Sequence, residues 1–168
     1  MDNITGLMVA LMFVTLLTIG FGNLLGAIAP RLATPKGFAD QPLDSLWWAI
    51  LGLIVLDTFW RCTVIFSIEN WSFAEFLFVQ LGAIMLFFAS TCLPSETPPA
   101  RLFFACMAVF QLWVLGLGPV FGPPPVAALV VALLMAVPPA AIAMRPTPAV
   151  YRPATVTMAG LTVLSLFV

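Results

Sequence analysis

From Thr5 to Ala29 the chain carries no charged side chain, and further apolar runs follow it. A helix rises about 1.5 Å per residue, so crossing a hydrocarbon core of roughly 30 Å takes about 20 mostly apolar residues. Runs of that kind occupy residues 5–29, 46–68, 71–93, 101–119 and 125–144, with a shorter one at 154–168. The breaks between them read "PRLATPKGFADQPLDS", "EN", "PSETPPA", "GPPP" and "RPTPAVYRP". Most are rich in proline and polar residues, as helix ends and turns are.

Composition closes off the soluble alternative. Of 168 residues, 62% are hydrophobic and 8% charged, where a soluble domain carries roughly 25% charged residues. So short a chain has no core large enough to hide that surface from water, and lipid is the solvent that fits it. The expectation is an all-α, polytopic membrane helix bundle of six transmembrane helices, with residues 1–168 forming a single transmembrane helical domain. The count falls to five if the last run, 154–168, fails to cross; it is long enough only if Tyr151–Pro153 joins it or the bilayer thins. Pro138-Pro139 falls inside the fifth run, and a kinked helix is expected there, since stopping before the prolines leaves a segment too short to span. The opening "MDNITG" lacks the basic residues of a signal peptide, so the first run is expected to stay as a membrane helix.

Charge sets an expected orientation. Arg31 and Lys36 follow the first run, Arg101 the third, and Arg145 and Arg152 the fifth; Arg61 alone lies within a run. The excess of basic residues in cytoplasmic loops places these three loops inside and the N-terminus outside, in a cytoplasmic (inner) membrane. Trp47, Trp48 and Trp71 sit at run ends, where an interfacial aromatic belt falls.

Several chemistries are disfavoured by what the sequence lacks. There is no histidine, which removes imidazole metal sites and histidine-based acid–base or nucleophilic schemes. Cys62, Cys92 and Cys106 show no CxxC spacing and read as apolar packing residues rather than metal ligands. A net charge of −1 offers no basic field to nucleic acid. No GxSxG, HExxH, phosphate-loop or dinucleotide fingerprint occurs. The expectation is a protein without catalytic residues, cofactor or metal.

Small residues recur at helix-packing intervals: Gly22 and Gly26; Gly82 with Ala83, Ala89 and Ser90; and Ala128, Ala132, Ala136 and Ala140. Such spacing lets helix backbones approach closely in lipid. "GFGNLLG" (20–26) and "GLGPVFG" (116–122) share one pattern, but their flanks differ and the echo reads as coincidence.

The sharpest feature is "LIVLDTFWRCTVIF" (53–66), where Asp57 and Arg61 lie one turn apart in an apolar run. Spacing i,i+4 puts both on one helix face, close enough to pair. An unpaired charge near the bilayer centre costs about 2.5–3.5 kcal/mol on insertion scales. Glu75 lies just past the short "EN" turn, which implies that the second and third helices are antiparallel neighbours. On that reading the five donors of Arg61 serve both Asp57 and Glu75. Asn23, Gln80 and Gln111 are the other polar side chains expected to be buried.

Two functions follow from these residues. In the first, the Asp57–Arg61–Glu75 cluster is an ion-pair clasp, and the chain is an accessory or assembly subunit that packs against other membrane subunits or itself. In the alternative, Asp57 is the proton or cation site of a small-ion or small-solute transporter or channel. The run from Trp47 to Glu96, with "WW", a tryptophan in the turn, a Phe-rich third helix and a closing "LP", resembles small multi-span bacterial inner-membrane proteins. It carries no diagnostic motif, and the resemblance implies no activity.

Overall fold

A computed structural model describes residues 4–34, 41–68, 71–93, 101–122 and 124–167. Among these the chain is all helical. The elements are α1 (Ile4–Leu32), α2 (Pro42–Arg61), a 3₁₀ segment (Cys62–Ser67), α3 (Phe73–Thr91), α4 (Arg101–Leu115), α5 (Gly118–Phe121), α6 (Val126–Met144) and α7 (Pro148–Ser165). Four spans are long and apolar enough to cross a membrane: Ile4–Leu32, Pro42–Ile65, Phe73–Thr91 and Val126–Met144. The six-helix expectation is thus met for four. α4 has 15 residues, about 22 Å of helix. α7 has 18 but carries Arg152 and several hydroxyl side chains.

Local chemistry explains the helix ends. Pro42 and Pro148 fall in the first turns of α2 and α7, where a missing N–H costs nothing and φ is already helical. α7 therefore begins before the expected 154 and includes Tyr151–Pro153. α6 runs through Pro138 and Pro139 to Met144. α5 ends at Gly122, whose φ of +91° is a conformation that side chains with a Cβ rarely adopt. The echo between "GFGNLLG" and "GLGPVFG" disappears, because the first is continuous helix and the second a turn with α5.

The long helices close into a ring. α1 packs on α3, α3 on α4, α4 on α6, α6 on α7, α7 on α2, and α2 returns to α1. One face of each helix turns inward. On α1 it is Gly6, Val9, Ala10, Phe13, Leu17, Gly20 and Leu24, spaced three and four residues apart as a helical stripe must be. The outward faces stay apolar, with Leu7, Met8, Leu11, Ile19, Leu133 and Val137 all exposed. Large contiguous apolar faces of this kind belong in lipid rather than water.

Helices α2 and α3 are not the close neighbours that the "EN" turn implied. The 3₁₀ segment packs on α1 and leads the chain past it, so α1 packs on both while α2 meets α3 only marginally. At 2.0 Å rise per residue, this segment is itself a connector, and the link is longer than two residues.

Candidate functional site

The two ends of the ring differ. At one end Trp47 packs edge-on against Phe103 and Phe104, and Phe104 against Tyr151, with all four side chains buried. Arg31 lies over the Trp48 ring at 4.2 Å, a cation–π contact. Arg101, Arg145 and Arg152 fall at the ends of α4, α6 and α7 on this same side. Towards the opposite end lies a cavity of about 460 Å³ with a residue from each long helix in its wall: Phe13, Ile54, Val79, Phe110, Met135 and Thr162. That volume falls within the roughly 300–1,000 Å³ of small-molecule sites. Arg61, Val64, Gly122 and Leu166 line it and are exposed.

Asp57 and Arg61 both line this cavity. Arg61 Nε–H donates to both carboxylate oxygens of Asp57, at 2.9 and 3.0 Å. The arginine side chain is 58% exposed and the aspartate 33%, so the pair is set at the edge of the cavity rather than sealed in a seam. α2 begins at Pro42 and the span continues to Ile65, so Asp57 lies about 5 Å past the midpoint of that segment. Among the described residues neither Nη of Arg61 has a hydrogen-bond partner. The lining also includes Gln111, 3% exposed, whose amide bonds no described residue. Thr58, Thr162 and Ser165 complete the polar lining; each hydroxyl donates to a backbone carbonyl of its own helix, leaving oxygen lone pairs available. Among the described residues no group of three or more Cys, Asp or Glu side chains could hold a metal ion.

Glu75 does not join the pair. Its Oε2 accepts from the Ser72 N–H at 2.8 Å while the Ser72 hydroxyl accepts from the Glu75 N–H at 3.2 Å. This capping box opens α3, satisfying backbone donors that a helix start leaves free. The pattern Ser72-x-x-Glu75 is written in the sequence, and it outweighs a charge pairing across helices that are not close neighbours. Gln80 is 2% exposed and donates to the Val9 carbonyl at 3.0 Å, tying α3 to α1. Half-buried Asn23 reaches the Ser90 hydroxyl at 3.5 Å along the same seam.

The small residues divide. A Cβ on Gly82 would meet the Trp113 ring at 2.4 Å, so this glycine admits the indole between α3 and α4. Gly22 and Gly26 are exposed, and among the described residues nothing lies within 4 Å of a Cβ added to either. Gly20, two residues earlier, is the α1 glycine in the seam, against Phe87 and Ser90. Ala132 and Ala136 are buried, Ala128 and Ala140 partly so.

No family model, curated protein or solved structure matches the chain.

One group of residues that sequence reasoning missed stands out. Tyr151 donates its hydroxyl to Asp44 Oδ1, and Trp47 Nε1 donates to Thr155 Oγ1 at 2.8 Å. The two bonds join α7 and α2, one donated from each helix. A side-chain clasp between α7 and α2 thus lies at the arginine-bearing end of the bundle. Asp44 fell in the break "PLDS", but a proline followed two residues later by an acid is itself a helix-start signal.

Proposed function

We propose that this chain is a multi-pass protein of the cytoplasmic membrane that binds a small solute in its central cavity, as a transporter or channel does. The Asp57–Arg61 pair is the polar anchor of that site. The observation that carries the reading is the position of the pair: it lines a cavity of about 460 Å³ rather than bridging two helices. Six helices cross, α4 and α7 through a locally thinned bilayer. Arginines at one end support a cytoplasmic face there, which leaves the cavity end and both termini outside. No residue is assigned a covalent step.

Thiol accessibility tests this arrangement. In a Cys62→Ser, Cys92→Ser, Cys106→Ser background, Thr58→Cys is expected to react with a membrane-impermeant thiosulfonate added to intact cells. Absence of reaction, or reaction only in inverted vesicles, would contradict an outward-opening cavity.

A second reading, the accessory or assembly subunit, is favoured by Gly22 and Gly26. Their exposed face suits the close approach of a helix from another subunit or a second copy. On this reading a protein partner co-purifies in mild detergent and is lost on Gly22→Leu. A monomer without a membrane partner would exclude it.

A further inference from the structure

We infer that the cavity takes a single-chain amphiphile with an anionic, phosphate-type head, the head on Arg61 and the chain within the ring. This rests on the solute-binding reading above and specifies its ligand class. Charge decides the head. Arg61 Nε already donates to both Asp57 oxygens, so a cation seated on that carboxylate would stand beside the guanidinium and be repelled by it. An anion has donors open to it, because neither Nη group of Arg61 bonds a described residue. The guanidinium fork suits phosphate and carboxylate oxygens.

The body of the ligand follows from the wall. Ile54, Phe110, Val131 and Met135 line the cavity, and a hydrophilic solute would lose its hydration against them with little in return. An alkyl chain loses nothing there. Gln111, 3% exposed and without a hydrogen bond to any described residue, offers one further polar contact inside. Arg61 stands at the exposed edge of this wall, so head and chain are satisfied together by one orientation of the ligand.

The same phosphate chemistry is carried by a lipid and by free phosphate, and the test separates them. The protein in phosphatidylcholine nanodiscs is titrated with tetradecyl phosphate, tetradecanol, tetradecyltrimethylammonium and inorganic phosphate, with thermal unfolding as the readout. Tetradecyl phosphate is expected to stabilise saturably, with tetradecanol at least tenfold weaker, the scale of one charge-assisted contact. Inorganic phosphate is expected to have no effect at the same concentrations. Arg61→Gln should bring tetradecyl phosphate down to the tetradecanol level, Arg61→Lys should restore part of the difference, and Asp57→Asn should not weaken binding.

Tighter binding of the ammonium probe, equal stabilisation by inorganic phosphate, or an unchanged Arg61→Gln would each overturn the inference. Stabilisation by the ammonium or neutral chain that Ala132→Trp abolishes would leave the cavity reading standing without the anionic head. If no probe distinguishes wild type from Ala132→Trp, the cavity reading fails with it.

Discussion

The Tyr151 hydroxyl donates to Asp44 Oδ1 across the seam between α7 and α2, and one turn further along the Trp47 indole of α2 donates back to Thr155 of α7. These two bonds attach the most polar helix of the ring to its neighbour, and Tyr151→Phe leaves Asp44 without that donor. Removing one member of a partly buried pair to a charged group costs about 1–3 kcal/mol. Tyr151→Phe is therefore expected to lower the detergent-phase unfolding temperature. Asp44→Leu combined with Tyr151→Phe should recover much of the loss, since no orphaned group remains. Thermal unfolding of the three variants checks this.

Gly82 and the Trp113 ring define the seam between α3 and α4. The indole N–H donates to the Phe78 carbonyl at 2.6 Å, which holds the ring where a Cβ on residue 82 would strike it. Gly82→Ala is expected to displace the ring and destabilise by about 1–3 kcal/mol, the usual scale of overpacking. Gly22→Ala and Gly26→Ala should leave stability unchanged within about 0.5 kcal/mol. Equilibrium unfolding, together with the tryptophan emission maximum for Gly82→Ala, distinguishes the two classes.

Ser72 and Glu75 cap α3, and a cap has a different substitution profile from an ion pair. Glutamine serves at the third position of a capping box as well as glutamate does, so Glu75→Gln should be tolerated. Glu75→Ala should cost about 1 kcal/mol, the typical value of a lost cap contact. If Glu75→Gln proved as harmful as Glu75→Ala in thermal unfolding, a charge role would have to be restored.

Much of the helical plan was legible in sequence because hydropathy and proline punctuation act locally. The segment 125–144 and the helix Val126–Met144 differ by one residue at the start. Neighbour relations were not legible. The length of the "EN" break suggested that α2 and α3 pair, but Cys62–Ser67, shortly before it, form a 3₁₀ connector, and apolar sequence alone does not tell a connector from a helix end. The i,i+4 spacing did indicate that Asp57 and Arg61 can meet. It gave no sign of the cavity beside them, which depends on ring closure among helices distant in sequence. The α1 glycines make the same point: Gly20, Gly22 and Gly26 lie close together in sequence, and helix rotation alone buries the first and exposes the others.

Asp57 and Arg61 answer each other within one helix, so the fold should tolerate their joint loss. Asp57→Ala alone leaves a cation at the cavity edge. Asp57→Ala with Arg61→Ala leaves none, and is expected to unfold within about 0.5 kcal/mol of wild type. A double variant as unstable as a broken inter-helix clasp, at 3 kcal/mol or more, would return the pair to a structural role. Circular dichroism melts on the single and double variants read this directly.

The central claim is that the ring holds a small molecule beside Asp57 and Arg61, and native mass spectrometry of protein released from mild detergent tests it most directly. Wild type is expected to retain a bound small molecule. Ala132→Trp, which fills the cavity, and the Asp57→Ala, Arg61→Ala double variant should lose it while keeping their helical content. A wild-type spectrum with no adduct, or an adduct equally present in the filled variant, would contradict the account.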